Sequence, residues 1–434
     1  MSGILHVSHI ISYGQSLASG WEGGPPLSLA PAKGTLMLGH SVRPQKEVSM
    51  LWVPVGDDAL RPLVATAQLG GNGPVLTTEQ LASLPDDAFL LGETVLEAAS
   101  GVWSVGMPDS ASNRWVLASS CGVGGRTLEH LSPGAQPELF NRLRNCAAAA
   151  RSAVERDGGS YSIAALLFLQ GESNSWALDG GTDDRLSYKV LLRRFFENFV
   201  AEVVQRIAGQ TTAPHMFLHQ TGGAYASETL GVAQAQLEFA LEREGCTLVA
   251  PIYPLPDRPM GHLDANGYRW LGQQFGKVMH RVLTLGEKWQ PLHPQRAILT
   301  GNRLSVAFHV PVPPLAWGRP MAGLERLEIR DCGFAVLDAG GEVPIADIAL
   351  DGPTGVCITL ARVPQGDVTL RYADRNHRGR GMLHDSDATM ATDVFAHDPT
   401  RPDTGSGDVA AMVGRPYSLE NWCVAFSIAV KRFD

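Results

Sequence analysis

The stretch Ile4-Leu5-His6-Val7-Ser8-His9-Ile10-Ile11-Ser12-Tyr13-Gly14-Gln15-Ser16 reads as an apolar strand, Ile4 to Ile11, that stops in a Gly-x-Ser turn. A strand ending this way delivers a serine hydroxyl to the carboxyl edge of a sheet, where open α/β sheets bind their ligands. The turn alone says little, because a serine in a tight turn commonly bonds its own backbone. Three later segments give it company: Gly122 to Leu128, Phe168 to Asn174 and Gly261 to Gly272.

Around these segments, from about residue 115 to 285, short β-rich runs alternate with longer stretches of helical period. That is the pattern of a parallel sheet flanked by helices, an α/β fold. Strands are expected at Trp115–Ser120, Tyr161–Leu169, His215–His219 and Cys246–Ile252. Helices are expected at Glu138–Arg156, Leu186–Ile207, Glu228–Glu244 and Ala265 to about Leu285. In the second of these, Leu186, Val190, Phe196, Val200, Val203 and Ile207 form the apolar side. The Gly- and Pro-rich segment of about 19–110 reads as a loop-rich insertion whose one long periodic stretch is Phe89–Ala99. After Trp289-Gln290-Pro291, short runs such as Leu304–Val310, Leu324–Ile329, Val356–Leu360, Val368–Tyr372 and Cys423–Val430 recur between turns. They point to an all-β, sandwich-like module. Two domains are therefore expected, 1–288 and 289–434, with Asp398–Asp408 as a loop.

Composition narrows the function. Apolar residues make up 44% and charged residues 18% of 434 residues, a balance that supports a sizeable core rather than disorder. The net charge is −9 and the cations are scattered, so nucleic acid is not an expected partner. No run approaches the length of a membrane span, and the N-terminus has no basic leader or cleavage site, so a soluble chain without a signal peptide is expected. The six cysteines, Cys121, Cys146, Cys246, Cys332, Cys357 and Cys423, form no Cys-x-x-Cys pair and read as buried free thiols. Neither a metal nor a cofactor is expected. His215 with His219, and His377 and His384 with Asp385, lack ligand spacing.

The chemistry these residues suit is nucleophilic ester cleavage, which requires a hydroxyl, a base, a group orienting the base and donors for an oxyanion. Ser16 is the candidate nucleophile. His262, on the loop before the Ala265 helix, is the candidate base. Gly125, in Gly122-Val123-Gly124-Gly125-Arg126-Thr127, offers a backbone N–H unobstructed by a side chain. Gln170 ends a strongly apolar strand and offers an amide donor. Asp264 reads as the N-cap of the following helix. Asp257, five residues before His262, reads as the orienting acid, and Glu172 is its alternative. Trp21, Trp52, Trp103 and Trp176 are candidates for stacking on a sugar, with core packing the commoner use of such residues. The polar run Asn376–Asp387 is expected to close the β module onto the first domain or to line a saccharide groove.

In this order the four segments resemble the SGNH hydrolase superfamily, and within it the sialate O-acetylesterase and acetylxylan esterase-like group, carbohydrate esterase family six. Gly14-Gln15-Ser16 looks like the Gly-Gln-Ser nucleophile block and Gly124-Gly125-Arg126-Thr127 like the glycine block. Leu169-Gln170-Gly171-Glu172-Ser173-Asn174 is similar to the His-Gln-Gly-Glu-Ser block. The resemblance implies a flavodoxin-like, three-layer parallel-sheet domain. It also implies that Ser16 attacks an ester carbonyl, that the Ser16 and Gly125 amides and the Gln170 side chain hold the oxyanion, and that His262 shuttles the proton. The chain departs from the pattern at Pro259, where the family places an aspartate, and at Leu169, where a histidine is common. Three arrangements follow for the acid, in the order Asp257, Glu172 and a Ser16–His262 dyad. The expected substrate is an O-acetylated carbohydrate. Similar domains in bacteriophage tail proteins extend the expected partners to a surface polysaccharide and other virion proteins. The competing readings are an SGNH lipase or thioesterase, and a non-catalytic carbohydrate-binding module.

Overall fold

In the computed structural model, which describes residues 5–433 except 47, 72, 86–87, 109–112, 400 and 402–406, the first strand runs over His6–Gly14 (β1). Ile4 and most of the expected 398–408 loop lie outside the described residues. Along β1, Val7, Ile11 and Tyr13 enter one apolar layer and Ile10 enters the other. Burial on both faces is what a central parallel strand requires, and it explains why the run is nearly continuously apolar.

Six strands join β1: β2 (Thr35–Leu38), β3 (Leu60–Pro62), β4 (Arg114–Ser120), β5 (Ser160–Leu169), β6 (His215–Gln220) and β7 (Cys246–Pro251). The sheet order is β3-β2-β4-β1-β5-β6-β7, parallel throughout except for the β2–β3 pair at the edge. Chain order reverses at β1, which lies between β4 and β5. The crevice beyond its carboxyl end is therefore the topological switch point.

Helices α1 (Val95–Val105) and α5 (Ala265–Met279) cover one face, while α2 (Asn141–Arg156), α3 (Arg185–Asn198) and α4 (Gly231–Glu242) cover the other. Thr94 and Glu97 form a capping box at the start of α1. Asp264 caps α5 as expected, its Oδ1 accepting from the Gly267 N–H at 2.7 Å. The expected face of α3 needs correction. Leu186 is 64% and Val190 58% exposed, and the buried side chains are Tyr188, Leu192, Phe195 and Phe196. The aromatic rings win the core because they bury the most area, and the helix continues through wider turns over Phe199–Gln205.

The 19–110 segment is more than decoration. It contributes β2, β3 and α1, and so part of the sheet and of one helical layer. Beyond α5 the chain becomes antiparallel and β-rich from His293 onward, with a five-stranded and a four-stranded sheet enclosing Leu304, Val306, Phe334, Val356 and Phe426. The run Leu324–Ile329 forms no full strand; only Glu325–Arg326 pairs, with Met321–Ala322. The two halves share core: Met321, Phe395, Tyr417 and Leu419 pack with α5 and its neighbours, and Tyr253 packs with the β-rich part. The Asn376–Asp387 run faces this junction, with Arg380 bonded to Asp257 and Asp387 to Lys277. All six cysteines are free, and Cys332 is only half-buried. No helix among the described residues is long and apolar enough to cross a membrane.

Candidate active site

The end of β1 is held by main chain. Gly14 has φ +145°, and a Cβ there would lie 1.9 Å from the Leu169 carbonyl oxygen. This close approach lets the Gln15 N–H donate to Leu169 O at 2.9 Å, while Val123 N–H donates to Gly14 O at 3.0 Å. Gln15 Oε1 also accepts from the Ser173 N–H at 3.0 Å. The ends of three adjacent strands thus share one hydrogen-bond set, and Ser16 follows at the start of the single turn Ser16–Ser19. Among the described residues neither the Ser16 nor the Gly125 N–H has a protein acceptor.

His262 reaches this serine from the other end of the sheet domain. Its Nε2 is 2.8 Å from Ser16 Oγ, and its Nδ1 is 2.9 Å from Glu22 Oε2. Glu22 stands in a glycine-flanked turn at φ +59°, its N–H donating to Leu90 O at 2.9 Å. A hydroxyl, an imidazole and a carboxylate in line are the geometry of a serine hydrolase triad. The His262 ring lies between aromatic groups, 5.9 Å from Trp21 and 6.3 Å from Tyr225. Trp52 and Trp103 are core residues.

The two acids expected beside His262 are elsewhere. Asp257 Oδ2 is paired with Arg380 at 2.7 Å, and its Oδ1 accepts from the Gly323 N–H. It faces the C-terminal half, because the backbone bridge between Asp257 and Leu263 and the Arg258 N–H to His262 O bond of 2.7 Å turn His262 away from it. Glu172 Oε1 is 2.7 Å from His219 Nε2, a fully buried pair, and its Oε2 has no hydrogen-bond partner among the described residues. Burial pushes the Asp264 carboxyl up to about 6, although Gly267, Arg401 and Arg258 act in the opposite direction.

Gln170 is wired into the scaffold. Asn174 Oδ1 accepts from the Leu128 N–H at 2.8 Å, so the Gln170 atom 2.6 Å from it is the Nε2 donor. The remaining Nε2 hydrogen makes a long 3.4 Å contact with Arg126 O, and Oε1 accepts from Tyr188 at 2.6 Å. That long contact is the amide's only loosely held donor. Gly125 has φ +68° and open space where a Cβ would stand.

Glu22 escapes sequence reasoning because it lies 240 positions from the histidine it meets. Its only signal is a carboxylate set among glycines in a turn shortly after the serine. No group of three His, Cys, Asp or Glu side chains among the described residues could hold a metal ion. His215 bonds Thr247, His219 bonds Glu172, and His377 bonds Asp374. A cavity of about 830 Å³ lies between α1, α5 and residues 387–393 and includes neither Ser16 nor His262. Its lining holds no Phe, Tyr or Trp side chain, and it belongs to the seam between the two halves.

No family model and no curated protein matches the chain. Its structure is similar to the crystal structure of a novel carbohydrate acetylesterase from Xanthomonas citri, at 14% identity and a TM-score of 0.53, over 87% of this chain and 77% of that one. NanS is similar at 12% identity and a TM-score of 0.44, over 65% of this chain and 99% of that one. A protein from Arabidopsis thaliana is similar at 18% identity and a TM-score of 0.42, over 62% and 97%. The first of these likenesses establishes a shared fold: the parallel α/β sheet with its β-rich C-terminal part is an architecture that this chain has in common with a carbohydrate acetylesterase.

Proposed function

We propose that this protein is a serine esterase that removes O-acetyl groups from a carbohydrate. The observation that carries the reading is the line from Ser16 Oγ through the His262 ring to Glu22, at 2.8 and 2.9 Å. Ser16 Oγ attacks the ester carbonyl carbon and its proton passes to His262 Nε2. Glu22 holds the ring through Nδ1 and stabilises the imidazolium. The developing oxyanion is met by the Ser16 and Gly125 N–H groups, and by Gln170 once its 3.4 Å contact to Arg126 O is released. The carbon–oxygen bond to the sugar breaks, and His262 returns the proton to the departing sugar oxygen. Water, deprotonated by His262, then attacks the acetyl carbon of acetyl-Ser16; its bond to Ser16 Oγ breaks, His262 returns the proton to that oxygen, and acetate leaves.

The carbohydrate and the acetyl group come to this chain from the motif resemblance and from what the Xanthomonas citri protein is named for. The test is hydrolysis of O-acetylated sugars and of p-nitrophenyl esters of increasing chain length. Acetate is expected to be the preferred acyl group, and Ser16→Ala to lose on the order of 10³ or more in kcat. Equal, slow rates for both proteins would leave a binding module as the better reading. A preference for octanoate would point to a lipase or thioesterase.

A further inference from the structure

Trp176 presents 48% of its surface to solvent, an amphipathic ring left open beside the candidate site. It follows the turn Glu172–Ser175, directly after the Gln170–Asn174 block, and its N–H donates to Glu172 O at 3.1 Å. Its ring centroid is 4.8 Å from Tyr225. Tyr225 is itself fixed beside the base, since its hydroxyl donates to Met260 O at 2.8 Å and its ring lies 6.3 Å from His262. The three rings form a path leading outward from the reacting serine.

Trp176 forms one wall of a cleft of about 570 Å³. Asp183, Ser227, Glu228 and Thr229 line it from the sheet domain, and Arg375 from the β-rich part. Among the described residues the side chains of Asp183, Glu228 and Arg375 have no ion-pair partner, so their donors and acceptors are open to a ligand. A flat apolar ring ringed by hydroxyl-matching groups suits the apolar face and polar rim of a pyranose. One cation against two carboxylates disfavours a sugar that carries its own carboxylate.

We infer that this cleft is a subsite for an uncharged sugar ring next to the acetylated one, so that the substrate is an oligosaccharide or a polymer. The inference rests on the esterase reading, and it assigns Trp176 to substrate length specificity. The experiment compares wild type, Trp176→Ala and Trp176→Phe on p-nitrophenyl acetate and on a panel of O-acetylated xylo-, manno- and gluco-configured saccharides of one to four residues. In the wild type, kcat/KM is expected to rise about tenfold or more with length on the preferred sugar. Trp176→Ala should abolish that rise and Trp176→Phe keep most of it, with p-nitrophenyl acetate hydrolysis within about twofold of wild type in both. The subsite is overturned if the wild type shows no gain with length, if Trp176→Ala keeps the gain, or if the p-nitrophenyl acetate rate falls in proportion. A preference for uronate-bearing chains overturns the uncharged assignment. Failure of the esterase reading itself is read separately, from Ser16→Ala on p-nitrophenyl acetate.

Discussion

Ser16 and His262 meet at 2.8 Å, yet they are moored by different physics. Ser16 is placed by main chain: Gly14 touches Leu169, and hydrogen bonds tie the ends of β1, β4 and β5 together. His262 sits on a loop held by side chains from far along the sequence. Arg380 pairs with Asp257, Asp398 with Arg258, and Arg401 with Asp264, each drawn from the C-terminal half. The position of the proposed nucleophile is therefore a property of the sheet, and the position of the proposed base is a property of the contact between the two halves. The β-rich part acts as scaffold for the loop that carries His262.

That contrast is open to direct attack. Gly14→Ala strikes the main-chain mooring and should have the largest effect, a loss of roughly 3 kcal/mol or more in urea unfolding or no soluble protein at all. A variant as stable as wild type would break the picture of the strand end. Glu22→Gln should leave the fold intact and lower kcat by about 10³ with little change in KM, because the ring loses the partner that fixes its tautomer. Asp257→Asn weakens only the pairing with Arg380. It is expected to lower kcat about tenfold or less, and the gap between these two acid variants separates the orienting group from the loop anchor.

The smallest effect concerns Asp264. Burial raises its carboxyl from 3.8 to about 6, so between those values the folded protein holds a proton that the unfolded chain has released. Stability therefore falls as pH rises through that window. Asp264→Asn keeps the cap and removes the fall. Urea unfolding at pH 5 and pH 7 should show the variant gaining about 1 kcal/mol relative to wild type over that interval. A constant difference at both pH values would show that Asp264 is not held protonated by burial.

Much of the sheet domain is legible because its elements have clear periods: β4, β5, β6, β7 and α2 lie within a few residues of their expected ends. Ser16 and His262 stand out because each sits where a periodic element meets a glycine turn. The orienting acid does not. Sequence spacing favours Asp257, but the hairpin bridge to Leu263 turns that carboxylate toward Arg380, and a residue from the loop-rich segment fills the place beside the ring. Gln170 shows the same limit, since its amide is legible at the strand end while its commitment to Asn174 depends on three-dimensional neighbours. The exposed Leu186 and Val190 show that a helical stripe cannot choose between aliphatic and aromatic sides when both are apolar.

The most direct measurement is covalent labelling with diethyl p-nitrophenyl phosphate, mapped by peptide mass spectrometry, in wild type, His262→Ala, Glu22→Gln and Asp257→Asn. The predicted result is a single label on Ser16, formed at least about 10² times more slowly in His262→Ala and Glu22→Gln but not in Asp257→Asn. A label on another residue, or slowing by Asp257→Asn as great as that by Glu22→Gln, would contradict the triad.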